Sequence, residues 1–103
     1  MDAARLVNRL YDALNVKNLN AAMAFFADNA VVVAGDARFT EKDQIRAAME
    51  HSIQQHDWYA VKDFQVSDNR ATWVAEIRTG DTHFDMKLEG VIENGQFITF
   101  TYL

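Results

Sequence analysis

Among the residues able to do chemistry, His56 is the best placed to move a proton. It ends the segment "EHSIQQH" and continues an inner helical row of Ile45, Ala48, Met49, Ser52 and Ile53, then leads into Asp57-Trp58. An imidazole there suits acid–base work at the mouth of a pocket, because its charge changes near neutral pH. The position equally suits a histidine that faces the last carbonyls of its helix. Tyr11 lies on the inner face of the first helix, where it can offer a hydroxyl to a ligand or serve as a core tyrosine with its hydroxyl at the rim. Trp58 and Trp73 can stack on a flat apolar ligand or pack in the core.

Other chemically capable residues carry two readings each. Strict alternation places Lys62 between Ala60 and Phe64 on an inward face, opposite Ala75. A desolvated lysine has a lowered pKa and can act in catalysis. A β-bulge near Lys62-Asp63, or snorkelling of the long stem, removes the anomaly. Glu76 and Asp85 oppose each other across a hairpin, and paired carboxylates can split their pKa values for acid–base work. Arg78 and Lys87 on diagonal positions suffice to compensate them. His51 and His56 are five residues apart, about 140° around a helix, so they lack the one-turn spacing of a zinc helix. With no glycine-rich phosphate loop and no nucleophile elbow, neither a metal nor a cofactor is expected.

These residues belong to a chain of 103, the size of one domain spanning residues 1–103 with a single core. Half of the residues are hydrophobic and 12% are aromatic, a globular composition. Ten Lys and Arg against fifteen Asp and Glu give a net charge of −5 without a basic stripe, which argues against nucleic acid as partner. With no cysteine, disulfides and thiolate metal sites are excluded, and a cytoplasmic location is expected. The longest apolar stretch, residues 30–34, is too short to span a bilayer, and the N-terminus does not read as a signal peptide.

Helical periodicity predicts helices at residues 2–15, 19–27 and 41–55, the first presenting Leu6, Val7, Leu10, Tyr11 and Leu14 on one face. Thr40 with Asp43 resembles a capping box for the third. Between the second and third helices, "FFADNAVVVAGD" (residues 25–36) turns at Asp28-Asn29 and runs on as a strand at 30–34. From Trp58 onward the period is two. Asp68-Asn69, Gly80-Asp81 and Asn94-Gly95 separate strands at 58–67, 70–79, 83–92 and 96–103. Two-residue loops then set Ile77 opposite Phe84, Ala75 opposite Met86 and Trp73 opposite Leu88. In the last hairpin they set Ile92 opposite Phe97, Val91 opposite Ile98 and Glu89 opposite Phe100. One sheet face packs on helices. The other is charged at one end and carries Val74, Val91, Ile98, Phe100 and Tyr102 at the other.

Three helices, a strand between the second and third, and a four-stranded meander resemble the nuclear transport factor 2-like fold. That fold is an α+β, cystatin-like cone in which a curved, mainly antiparallel sheet wraps a long helix. "YDALNVKNLNAAMAFFADNAVVV" and "FTEKDQIRAAME" are similar to SnoaL-like and ketosteroid-isomerase-like proteins, although Thr40 stands where a glycine is frequent. The resemblance covers nearly the whole chain and implies fold more than chemistry. In the ketosteroid isomerases a first-helix tyrosine and a sheet aspartic acid form the oxyanion hole, and an aspartate ending the first strand is the base. Matching puts Leu10, Leu88 and Ala34 at these positions, so steroid isomerisation by that route is not expected. The apolar strand end is expected to line a greasy pocket, with Asp36 two residues further on expected at the rim.

The expectation is a cone that binds a small apolar molecule between helices and sheet. Leu10, Tyr11, Met49, Ile53, Trp58, Trp73, Met86 and Leu88 supply the inner faces, and Tyr11, Asp36 and His56 the polar groups. As an enzyme it would do isomerase, cyclase or dehydratase chemistry on a cyclic or polyketide-like substrate, with His56 transferring the proton and Asp36 as its partner. The alternative is a noncatalytic ligand-binding or dimerisation module. A homodimer would cover the outer patch of Val74, Val91, Ile98, Phe100 and Tyr102.

Overall fold

The structure, a computed structural model, describes residues 2–103. Helix α1 (Ala3–Asn15) starts at Asp2, whose carboxylate accepts the Ala4 N–H at 3.0 Å, and buries the apolar row read from its period. Helix α2 (Leu19–Met23) is capped by Asn18 and is shorter than the 19–27 expected, because the chain leaves it to begin a strand at Phe26. That residue is fully buried, and the pull of its ring into the core extends the strand backward through the polar Asp28-Asn29. Strand β1 (Phe26–Ala34) folds back over Gly35-Asp36 onto a short β2 (Ala37–Phe39). Three residues are too few for a periodic signal, so β2 was not expected. Helix α3 (Lys42–Gln55) begins one residue later than the Thr40–Asp43 pairing implies: Gln44 Oε1 accepts the N–H groups of Thr40 and Glu41 at 3.1 and 3.4 Å.

Strands β3 (Trp58–Ser67), β4 (Arg70–Thr79), β5 (Thr82–Glu93) and β6 (Gln96–Tyr102) complete a curved sheet of order β2-β1-β6-β5-β4-β3. Every neighbouring pair is antiparallel except β1 with β6. The helices cover one face, making an α+β fold. Asn94 and Gly95 adopt φ of +53° and +75°, the pair of left-handed conformations that an Asn-Gly hairpin supplies at low cost. The β4–β5 register is the one expected, with Ile77, Ala75 and Trp73 opposite Phe84, Met86 and Leu88.

Two bulges correct the expected faces. In β5–β6, Ile92 pairs with Phe97 as expected, but the next pair is Val91 with Thr99, leaving Ile98 as an extra residue. Because side chains alternate, a one-residue slip turns the rest of the strand over. Gly90, not Glu89, therefore faces Phe100, and both Phe100 and Tyr102 turn inward. Phe100 is only 1% exposed, with its ring centre 5.4 Å from Phe26, 5.6 Å from Trp73 and 5.3 Å from Phe97. These two aromatics do not belong to an outer patch. Gly90 leaves room for the neighbouring rings of Phe97 and Trp73: a Cβ there would lie 2.9 Å from Phe97 Cε1 and 3.2 Å from Trp73 Cη2.

In β3–β4 the pairing steps from Lys62–Val74 to Gln65–Thr72, so Asp63 and Phe64 together stand against Trp73, with Asp63 at φ +54°. Lys62 consequently lies on the outer face, where its ammonium is 2.9 Å from Asp85 and 3.6 Å from Glu76. The lysine bridges the opposed carboxylates and offsets one of their two charges, and a buried catalytic lysine is ruled out. The same bulge sends Trp58 outward, 51% exposed. Tyr59 and Val61 take the inward positions.

Candidate functional site

A cavity of about 160 Å³ lies between α1, the last turns of α3 and the inner faces of β3–β6. Its apolar walls are Leu14, Met49, Ala75, Ile77, Met86, Leu88 and Phe100, and its polar groups come from Tyr11, His51, Ser52, His56, Tyr59 and Tyr102. No Asp, Glu, Lys or Arg lines it.

His56 stands at the C-terminal cap of α3, where the backbone leaves the helix with φ −120° and ψ 142°. Lys17, held at φ +60° in the α1–α2 turn, donates its ammonium to the Ile53 and His56 carbonyls at 3.0 and 2.6 Å. The lysine thereby closes the helix end that carries the imidazole. Nδ1 of His56 shares a 2.7 Å hydrogen bond with the Thr79 hydroxyl. A hydroxyl can donate or accept, so either tautomer is accommodated and Nε2 is left for a ligand as base or as donor. Burial lowers the His56 pKa, helped by the charges of His51 and Lys17 and opposed by Asp57. The ring is thus neutral at pH 7.

Tyr59 is held at backbone and side chain alike. Asn15 clamps its main chain, donating to the carbonyl at 2.8 Å and accepting the N–H at 2.7 Å. Its phenol donates to the Ser52 carbonyl at 3.1 Å and hydrogen-bonds the Ser52 hydroxyl. Tyr11 Oη accepts the Trp73 indole N–H at 3.1 Å. Burial raises the pKa of all three phenols, well above the usual value for Tyr11 and to about 12 for Tyr102. The walls therefore present neutral hydroxyls, not phenolates.

Of the residues singled out in the sequence, Tyr11, Met49, His56, Met86 and Leu88 come together around this cavity. Trp73 lies beneath it as the indole partner of Tyr11, buried within the core. Leu10 is in the core, and Ile53 packs against the core without reaching the cavity wall. Ala34 pairs with Tyr102 at the end of β1 and is not part of the cavity wall, contrary to the expectation that this strand end lines the pocket. Asp36 is exposed in the β1–β2 turn and does not line the cavity, so the His56–Asp36 pair is not assembled. Thr79 occupies the partner's place at Nδ1. Tyr59, Phe100 and Tyr102 were missed, all for the two bulges. A signal existed: the large inward residues run Tyr59, Val61, Phe64 and Phe97, Phe100, Tyr102, and a step of three breaks strict alternation.

No group of three or more His, Asp or Glu side chains among the described residues could hold a metal ion. Among the described residues no helix is long and apolar enough to cross a membrane.

A cone of three helices on a curved, mainly antiparallel sheet is the architecture of the nuclear transport factor 2-like class. Within that class the chain belongs to the SnoaL-like domain family, which matches residues 7–102. Among solved structures, an NTF2-like protein of unknown function from Cytophaga hutchinsonii is 16% identical, with a TM-score of 0.84 over 100% of this chain and 89% of its own. A candidate polyketide cyclase from Sinorhizobium meliloti is 19% identical, with a TM-score of 0.85 over 96% of this chain and 94% of its own. A de novo designed protein with a curved β-sheet is 14% identical, with a TM-score of 0.90 over 99% of this chain and 86% of its own. At such identities the likeness is one of fold. Comparison with curated proteins gives no match.

Proposed function

We propose that this domain binds a small, neutral, mainly apolar ring compound in the cavity and moves a proton on it through His56. The observation that carries the reading is the imidazole itself: it lines the cavity, its Nδ1 is held by Thr79, and its pKa is lowered. A neutral imidazole with one nitrogen fixed is prepared to accept a proton at the other. The walls hold no charge that would compensate an ionic ligand, and burying an unpaired charge is costly. The volume supports one ring: a dry cavity of about 150 Å³ holds benzene. Larger substrates must extend past the His51–His56 rim. Acid–base chemistry of the isomerase, cyclase or dehydratase kind fits such a site, and the likeness to a candidate polyketide cyclase points the same way.

Exchange of the α-hydrogens of cyclohexanone in D2O, followed by NMR, tests the proposal without knowledge of the natural substrate. The protein should accelerate exchange, and His56→Ala should abolish the acceleration while changing thermal stability little. Binding without acceleration would favour the second reading, a noncatalytic ligand-binding module, which the lack of any carboxylate in the cavity wall supports.

A homodimer is proposed on the corrected outer face. With Phe100 and Tyr102 turned inward, that face still carries Val74, Val91 and Ile98, joined by Val31 and Val33 of β1 and flanked by Thr72, Thr99 and Thr101.

A further inference from the structure

We propose that Tyr102 orients the ligand by donating its phenolic hydrogen to a neutral acceptor oxygen, the carbonyl of a single-ring ketone, enone or lactone. The inference rests on the pocket reading above and deepens it by naming the ligand's polar group.

It follows from counting what three phenols can donate and accept. Tyr59 is spent within the protein, donating to the Ser52 carbonyl and paired with the Ser52 hydroxyl. Tyr11 accepts from the Trp73 indole, which can only donate, so the hydrogen of Tyr11 must point elsewhere. The Tyr102 hydroxyl makes no hydrogen bond with any other described residue, and its raised pKa has burial and the nearby Tyr59 as causes, not a hydrogen bond. No buried side-chain polar atom among the described residues lacks a partner. Its hydroxyl is therefore not sealed in protein but opens on the cavity that its ring lines.

The hydrogen that Tyr102 has to give calls for an acceptor. Burial holds Tyr102 and Tyr11 protonated, and the two phenols stand close enough that the charge of Tyr102 would oppose ionisation of Tyr11. Both hydroxyls thus keep a hydrogen to give at any physiological pH. A carboxylate is a poor candidate, because no cationic side chain lines the cavity to offset its burial. A carbonyl on a single ring meets every constraint: an apolar body for Leu14, Ile77 and Met86, and one oxygen for Tyr102.

The test compares cyclohexanone with methylenecyclohexane, the same ring with CH2 in place of oxygen, by NMR titration. Tyr102→Phe removes the donor and keeps the ring, so the fold should survive. It should weaken cyclohexanone about tenfold, the effect of losing one hydrogen bond to an enclosed acceptor. Methylenecyclohexane should change by less than about twofold. Wild-type protein that binds neither ring overturns the pocket reading together with this one. Both rings bound, with Tyr102→Phe weakening the two equally or not at all, overturns the Tyr102 assignment and leaves the pocket reading standing.

Discussion

Asn15 offers a sharp test of how this site is held. Strand β3 lies at the edge of the sheet, where backbone groups have no neighbouring strand to bond. Asn15, the last residue of α1, supplies that neighbour for one residue, bonding the Tyr59 carbonyl and N–H at 2.8 and 2.7 Å. Asn15→Ala removes both partly buried bonds. At roughly 1 kcal/mol each the loss is about 2 kcal/mol, and more if the freed groups stay dry. For a domain near 100 residues that corresponds to a fall in Tm of roughly 8–16 °C. Asn15→Asp keeps the acceptor for the N–H but sets a carboxylate oxygen against the Tyr59 carbonyl. It should cost at least one bond near neutral pH and recover as pH falls, because the protonated acid can donate to that carbonyl and its folded-state pKa is raised. Urea unfolding followed by far-UV circular dichroism reads these losses, with the slope against denaturant unchanged. An Asn15→Ala protein within about 0.5 kcal/mol of wild type would mean that water replaces the clamp at no cost, and the reasoning would fail.

Phe100→Ala should destabilise the fold by about 3–5 kcal/mol, since it empties the centre of the aromatic cluster; a well-folded protein with only its oligomeric state changed would return Phe100 to the surface. The lowered His56 pKa makes the unfolded chain bind a proton before the folded one. Its contribution is therefore intact above the unfolded value of about 6.5 and is lost as pH falls through that value toward the folded pKa. His56→Gln should flatten this part of the stability profile, and Lys17→Met should raise the His56 pKa in an NMR titration by removing a nearby charge. Val91→Lys should convert the proposed dimer to a monomer in sedimentation, whereas a wild type already monomeric at high concentration would refute the dimer.

Helical periodicity alone placed Tyr11, Met49 and His56 on inward rows, because a helix of fixed pitch has no register to slip. The three turn dipeptides set the hairpins, and between Gly80 and Trp73 the pairing follows from counting outward from the turn. Tertiary structure decided where the counting stops. At Ile98 and at Asp63-Phe64 the chain takes up one extra residue so that Phe97 and Phe100, or Val61 and Phe64, all reach the core around Trp73. Burying those large side chains outweighs the disturbed ladder, and nothing in the flanking residues alone states that balance. The strand period is two, so each bulge reverses every side chain on its far side. That reversal carried Tyr59 and Tyr102 into the cavity, took Trp58 and Lys62 out of it, and moved Phe100 from an expected interface to the centre of the core.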